Sequence, residues 1–202
     1  MWEDGFNELL DNDKYTLQEL CQFIISNISN KRYYYEADKG HYKHFIIEFF
    51  DSQVPHLMGL QHIGNLPEVY PTNQLKKMLN GEWSFKTLSD ADNAGYKQNE
   101  LRVHGVKFLY LMFHRAYCET KFISPSRRDK LSRYNVSMVF TMPKTNKVYI
   151  LGLRRTQEKE INGCIYNVFN PVSLIIDEKG SSILNVKSFP FNVVDVKVEH
   201  LR

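Results

Sequence analysis

A chain of 202 residues, 43% hydrophobic and 24% charged, is long enough to bury a substantial core and has the balance of a soluble globular protein. A net charge of +3 and a pI near 8.6 neither announce nor forbid nucleic-acid binding, and no run of about 18 apolar residues is present to cross a membrane. Cys21, Cys118 and Cys164 are far apart, without CxxC or Cys/His ligand spacing, and the opening MWEDGFNELL lacks the basic start and apolar core of a signal peptide, so the expectation is reduced thiols and a cytoplasmic protein.

In chain order, residues 2–10 form a short amphipathic helix candidate and 16–28 a clearer one. Thr16 and Glu19 have capping-box spacing, and Leu17, Leu20, Ile24 and Ile28 recur at helical intervals. KRYYYE at 31–36 and the apolar stretch 42–50 are strand-like, with Asp38-Lys39-Gly40 as the turn of a hairpin. The second strand runs into FIIEFFDSQVPHLMGL at 45–60, the stretch around which the rest is expected to be arranged. Asp51 or Ser52 is the predicted N-cap of a short helix, and Pro55 suits an early helical position. His56 therefore sits where a buried strand hands over to a helix, its backbone fixed by packing and its imidazole able to reach a cleft. That is how a proton-transfer group is held, although a core-edge histidine with one hydrogen bond is the plainer reading.

Residues 73–79 and 84–91 read as two short helices separated by Asn80-Gly81. The longest helical pattern covers 97–118. Leu101, Val106, Phe108, Leu109, Met112, Phe113 and Ala116 give it a wide apolar face, and Lys97, Glu100, His104, Lys107 and Arg115 lie mostly opposite. Arg102 is out of place at the edge of the buried side, where its guanidinium must find a partner or reach into a cleft. From residue 122 the period changes to two. Strands are predicted at 136–142, 147–154 and 164–176, the last interrupted at Asn170-Pro171, with one or two more around Pro190 in 183–198. Helices followed by meandering strands indicate an α+β fold in which N-terminal helices and a long central helix pack on a mainly antiparallel sheet. No repeat or linker demands a second domain, so 1–202 is expected to be one domain.

KFISPSRRDKLSR at 121–133 carries five basic residues (Lys121, Arg127, Arg128, Lys130 and Arg133) against the single acid Asp129. Such a loop can track a phosphate backbone or simply be solvated. Arg154 and Arg155 end a strand and point to opposite faces, so only one can serve a given cleft. Other chemistry is missing: there is no Gly-rich phosphate loop, HExxH, GxSxG or paired-carboxylate motif. His41 and His44 face opposite ways on a predicted strand and are poor joint metal ligands. His62, six residues past His56, is a second candidate for acid/base work, and His104 is assigned to the exposed side of the long helix.

FIIEFFDSQVPHLMGLQHI, with its strand, its Pro-His-Leu and the following Gly-Leu, resembles the phage and mobile-element branch of the superfamily that groups barnase, EndoU, colicin and RelE-type nucleases. The stretch 81–88, Arg102, ILGL at 150–153 and YNVFNPVSLII at 166–176 resemble later landmarks of that branch in the same order. The resemblance covers approximately residues 33–177 and leaves a helical lead at 1–32 and C-terminal strands at 178–202 unexplained. It implies RNA cleavage without metal or cofactor: the ribose 2′-OH attacks phosphorus, and the enzyme supplies a base, an acid and cations for the phosphoryl oxygens. Carried onto this sequence, His56 is the general acid or base, Arg102 holds the phosphate, Ser173 donates to a phosphoryl oxygen, and Tyr166 stacks on a base or moves the second proton. Lys121, Arg127, Arg128, Lys130, Arg133 and Arg154 are the expected RNA or partner contacts. Only His56 sits in a strong proton-carrier motif, so an inactive nuclease fold that binds a host-defence nucleoprotein is the alternative. A third reading is a homodimer formed through the edges of the C-terminal strands.

Overall fold

The computed structural model describes residues 14–40, 42–114, 118–123, 135–144, 146–178 and 188–201. They form two compact units, each assembled from two stretches of chain. One takes the described residues up to Ser29 together with Asp51–Tyr110, and the other takes Asn30–Phe50 and the chain from Leu111 onward. The protein is α+β, and among the described residues no helix is long and apolar enough to cross a membrane. The helix candidate at 2–10 lies outside the described residues.

The first unit is helical. Helix α1 (Leu17–Asn27) starts at the predicted capping box: the Thr16 hydroxyl accepts from the Glu19 amide, and the Glu19 carboxylate accepts from the Thr16 amide at 2.7 Å. Its apolar stripe buries Leu17, Leu20, Cys21 and Ile24. Burial pushes the Cys21 thiol up to about 12, which leaves it an inert core group. Helix α2 (Gln53–Met58) starts at one of the two predicted caps but without the capping bond. Ser52 occupies the N-cap in a helical conformation and makes no side-chain capping bond, while the Asp51 carboxylate is engaged by the Ser29 hydroxyl. Pro55 falls in the first turn, where a missing N–H costs little. A 3-10 turn (Leu60–His62), α3 (Pro71–Leu79) and α4 (Phe85–Ala91) follow, with Gly81 at φ 74° between the two helices.

The single long helix predicted over 97–118 is instead three pieces. Helix α5 (Asn93–Gly105) begins earlier, capped by the Asp92 carboxylate on the Gly95 amide, and gives way to a 3-10 turn (Val106–Phe108) and then α6 (Leu109–Phe113). A 3-10 turn advances the side chains faster around the axis, so the apolar face after it is out of phase with the face before it. Two assignments fail as a result: Leu101 is 44% exposed and Lys107 only 2%. The Lys107 ammonium lies over the Tyr15 ring, 4.8 Å from its centroid. His104, expected in solvent, is half-buried, with Nδ1 2.8 Å from the Tyr15 hydroxyl and its ring 4.6 Å from that of Phe85.

The second unit is an eight-stranded sheet. Its strands are β1 (Lys31–Ala37), β2 (His44–Phe49), β3 (Glu119–Ile123), β4 (Met138–Lys144), β5 (Lys147–Ile161), β6 (Cys164–Glu178), β7 (Ser188–Phe191) and β8 (Val193–His200). The order is β7-β3-β4-β5-β6-β2-β1-β8, antiparallel except where β2 runs parallel to β6. The predicted hairpin is β1–β2, with Tyr33 opposite Ile47 and Tyr35 opposite Phe45. One face of the sheet carries fully buried rings: Phe45 stacks on Tyr35 at 4.8 Å and 9°, and Tyr33 on Phe113 at 4.8 Å. The Tyr35 hydroxyl is satisfied by the Phe113 carbonyl at 2.6 Å. Strand β6 runs unbroken through Asn170-Pro171, and the register absorbs the proline as a bulge: Gly152 pairs with Ser173 but Leu153 with Pro171.

On the opposite face the Glu48 carboxylate, 6% exposed, is clasped by Arg32 at 2.6 Å and Lys159 at 2.7 Å. Burial pushes this carboxyl up, but the hydrogen bonds from Lys159 and Arg32 outweigh it and hold Glu48 below its ordinary value. A depressed carboxylate stabilises the fold fully above its unfolded-state value of about 4.3 and progressively less as pH falls through the folded value. Glu48→Gln is therefore expected to cost about 1–2 kcal/mol at pH 7, because its cationic partners can turn to water, and to flatten the loss of stability below about pH 5. Urea unfolding of both proteins across that range measures it.

Candidate functional site

Of the residues singled out from the sequence, His56, His62 and Arg102 meet in the helical unit. Buried Val54, Pro55, Leu57 and Met58 pin α2 and leave the His56 imidazole exposed. The helix ends at Gly59, whose left-handed backbone (φ 81°) turns the chain into the 3-10 segment that carries His62. Arg102 reaches over this corner from α5. One guanidinium nitrogen donates to the His56 carbonyl at 3.3 Å and the other to the Asn99 side-chain oxygen at 3.3 Å. Asn99 is itself held by its amide donating to the Gly95 carbonyl at 2.9 Å. Glycine is required at position 59 on two counts: positive φ, and a Cβ that would lie 2.7 Å from Asn99 Oδ1 and 2.9 Å from Arg102 Nη1.

His62 feels the other two. Burial, then the neighbouring Arg102 and His56, hold its imidazole below the ordinary histidine value, which leaves it neutral and able to accept a proton at neutral pH. A neutral imidazole, a second imidazole and a fixed guanidinium on one corner are groups able to take a proton, carry a proton and hold an anion. Asn99 was not singled out from the sequence, and Gly59 entered only as part of the Gly-Leu landmark. The i, i+3 spacing of Asn99 and Arg102 on a helix was the signal available for the first.

Ser173 and Tyr166 belong to the sheet unit, and β6 does not bring them together. Seven residues separate them along one strand, roughly 20 Å at strand rise, so they cannot serve the same phosphodiester. Ser173 is 5% exposed, its hydroxyl stacked over Gly152 beside Val136, and that oxygen has no hydrogen bond among the described residues. Val136 belongs to a small apolar cluster with Ile123, Val139, Val148 and Ile150. Tyr166 is half-buried on the Glu48 face, edge-on to Tyr34 at 5.7 Å and 5.7 Å from the ring of His44.

Lys121 is on strand β3, not in a loop, and pairs with Glu119 at 3.2 Å. Arg127, Arg128, Lys130 and Arg133 lie outside the described residues. Arg154 is exposed on β5, opposite Asn170, while Arg155 pairs with Glu158 and lies over the Tyr42 ring at 5.7 Å. Among the described residues no group of three His, Cys, Asp or Glu side chains is arranged to hold a metal ion.

The sequence matches the family model PBECR4, described as phage-Barnase-EndoU-ColicinE5/D-RelE like nuclease4, over residues 16–188. No curated protein and no solved structure matches the chain.

Proposed function

The chain belongs to this phage-type nuclease family, and on that premise we propose that it is an endoribonuclease of a phage or mobile element that cuts RNA without a metal ion or other cofactor. The observation that carries the reading is Arg102 fixed between the His56 carbonyl and Asn99, with both imidazoles at the same corner. His62, kept neutral, takes the proton of the ribose 2′-OH as that oxygen attacks phosphorus. His56 returns a proton to the departing 5′-oxygen, and Arg102 balances the charge that builds on the non-bridging oxygens. The products are a 2′,3′-cyclic phosphate and a 5′-hydroxyl. In this reading Tyr166 stacks on a base of the bound strand, the buried Ser173 takes no part, and the basic residues Lys121, Arg127, Arg128, Lys130, Arg133 and Arg154 carry the phosphate chain. The protein works in the cytoplasm.

The test is cleavage of a labelled RNA in EDTA, with the ends identified by mass spectrometry. Cyclic phosphate ends, and protection of a strand whose scissile ribose lacks its 2′-OH, are expected. Activity that vanishes with EDTA, or products with 3′-hydroxyl ends, would remove the mechanism.

Gly59→Ala should disturb the same corner from beneath. The left-handed backbone alone costs an L-residue about 1–2 kcal/mol, and the added methyl displaces the guanidinium. Gly81→Ala is the control: φ is 74° there too, but the nearest atom to its Cβ is Gln18 Oε1 at 3.2 Å. Similar loss of unfolding free energy in both, with a fall in kcat for position 59 alone, is the expected outcome.

A further inference from the structure

The two ends of the sheet differ. Strand β7 is four residues long and contains Pro190, features that discourage pairing, whereas β8 is eight residues long, VVDVKVEH, with no proline. Strand β8 is bonded to β1 and ends the sheet of described strands. Which of its backbone groups face outward follows from one bond. The Leu201 amide donates to the Asn30 carbonyl at 2.8 Å, and in an antiparallel ladder alternate residues turn toward the partner. Leu201, Glu199 and Lys197 thus turn toward β1, and Val198 and Val196 present N–H and C=O to the side of β8 away from β1, where no described strand lies.

We propose that this edge is the interface for a second copy of the chain, β8 pairing antiparallel with its mate about a two-fold axis at Val196. In that register the sequence sets valine against valine and acid against base along its whole central stretch. Val196 opposes Val196, so its outward amide and carbonyl bond their symmetry mates, and Val198 opposes the half-exposed Val194. Asp195 opposes Lys197 twice over, giving two cross-strand ion pairs on the other face. A two-fold at Asp195 or Lys197 would oppose like charges, and one at Val198 would oppose Lys197 to Glu199, which are already bonded within the strand, but would set His200 against Val196 and Asp195 against Leu201. Lys197 is free to serve: its side chain is 70% exposed, and its bond to Glu199 at 2.7 Å runs along the strand, leaving ammonium protons for the mate's carboxylate. The inference is independent of the nuclease reading.

Sedimentation of the full chain over a wide concentration range tests it. The wild type should form a reversible dimer. Asp195→Lys or Lys197→Asp alone should weaken it roughly tenfold or more, since symmetry makes each change count twice, and the double exchange should restore it. Val196→Pro removes an amide that the internal ladder does not use, so it should fold and be monomeric. Circular dichroism and thermal unfolding report folding, and if the proline variant does not fold the charge exchange decides. A monomeric wild type, a dimer indifferent to Asp195→Lys, or a double exchange no better than the single changes would overturn the proposal.

Discussion

His56→Ala is expected to lower kcat for RNA cleavage by about 10²–10⁴-fold with little change in KM, the range by which a positioned proton donor accelerates transesterification. The imidazole is exposed on a turn whose neighbours are buried, so removing it leaves the scaffold intact and stability within about 0.5 kcal/mol. That separation makes the substitution informative. Loss of cleavage in a protein that unfolds at the wild-type temperature assigns the proton transfer to this side chain, and wild-type kcat in His56→Ala would take it out of the mechanism. The pH profile gives a second readout. Because burial, Arg102 and His56 depress His62, the acidic limb set by this base should lie below the pH at which an ordinary imidazole titrates. Arg102→Gln takes away one of those causes, so the limb should move toward higher pH as kcat falls.

The largest expected effect on stability is at the other unit's core. Phe45 is fully buried, stacked face to face on Tyr35 and edge-on to Phe169 and Phe191 at 5.9 Å each. Phe45→Ala should cost about 3–5 kcal/mol through lost burial and an unfilled cavity, against a total of about 5–15 kcal/mol for a domain. In a chain of this length that lowers the melting temperature by roughly 10 °C. Phe45→Leu, which keeps most of the volume and loses the ring contacts, should recover more than half of the deficit. Equal melting temperatures for Phe45→Ala and the wild type would show that the aromatic cluster is not a centre of stability.

Features written in short stretches of sequence were legible. Thr16 with Glu19, the KRYYYE hairpin strand and the strand-to-helix handover at His56 each depend on neighbours within a few residues, where capping, alternation and turn chemistry act. The α+β class followed from the change of period near residue 122. Most of the failures come from contact between distant segments, and one from a local change of helix type. Lys107 reads as polar surface until Tyr15 covers it, and Leu101 reads as core until the 3-10 turn at Val106 resets the phase. The Asp51 cap was lost to a serine 22 positions back. His62 was named only as a second candidate, on its spacing from His56, and its approach to Arg102, forty residues away, is a tertiary contact that spacing does not show. The parallel pairing of β2 with β6 was equally invisible, since nothing local distinguishes a strand that will be met by a segment more than a hundred residues later.

That late meeting bears on synthesis. The β1–β2 hairpin is made early, yet its flanking partners are β6 and β8, both more than a hundred residues later. At about 5–20 residues per second the ribosome needs on the order of ten seconds between the first strand and the last, and such long loop closures are slow in themselves. A truncated translation product would leave Phe45 and its tyrosine neighbours uncovered, so premature termination should yield chaperone-bound or proteolysed fragments rather than a smaller folded protein.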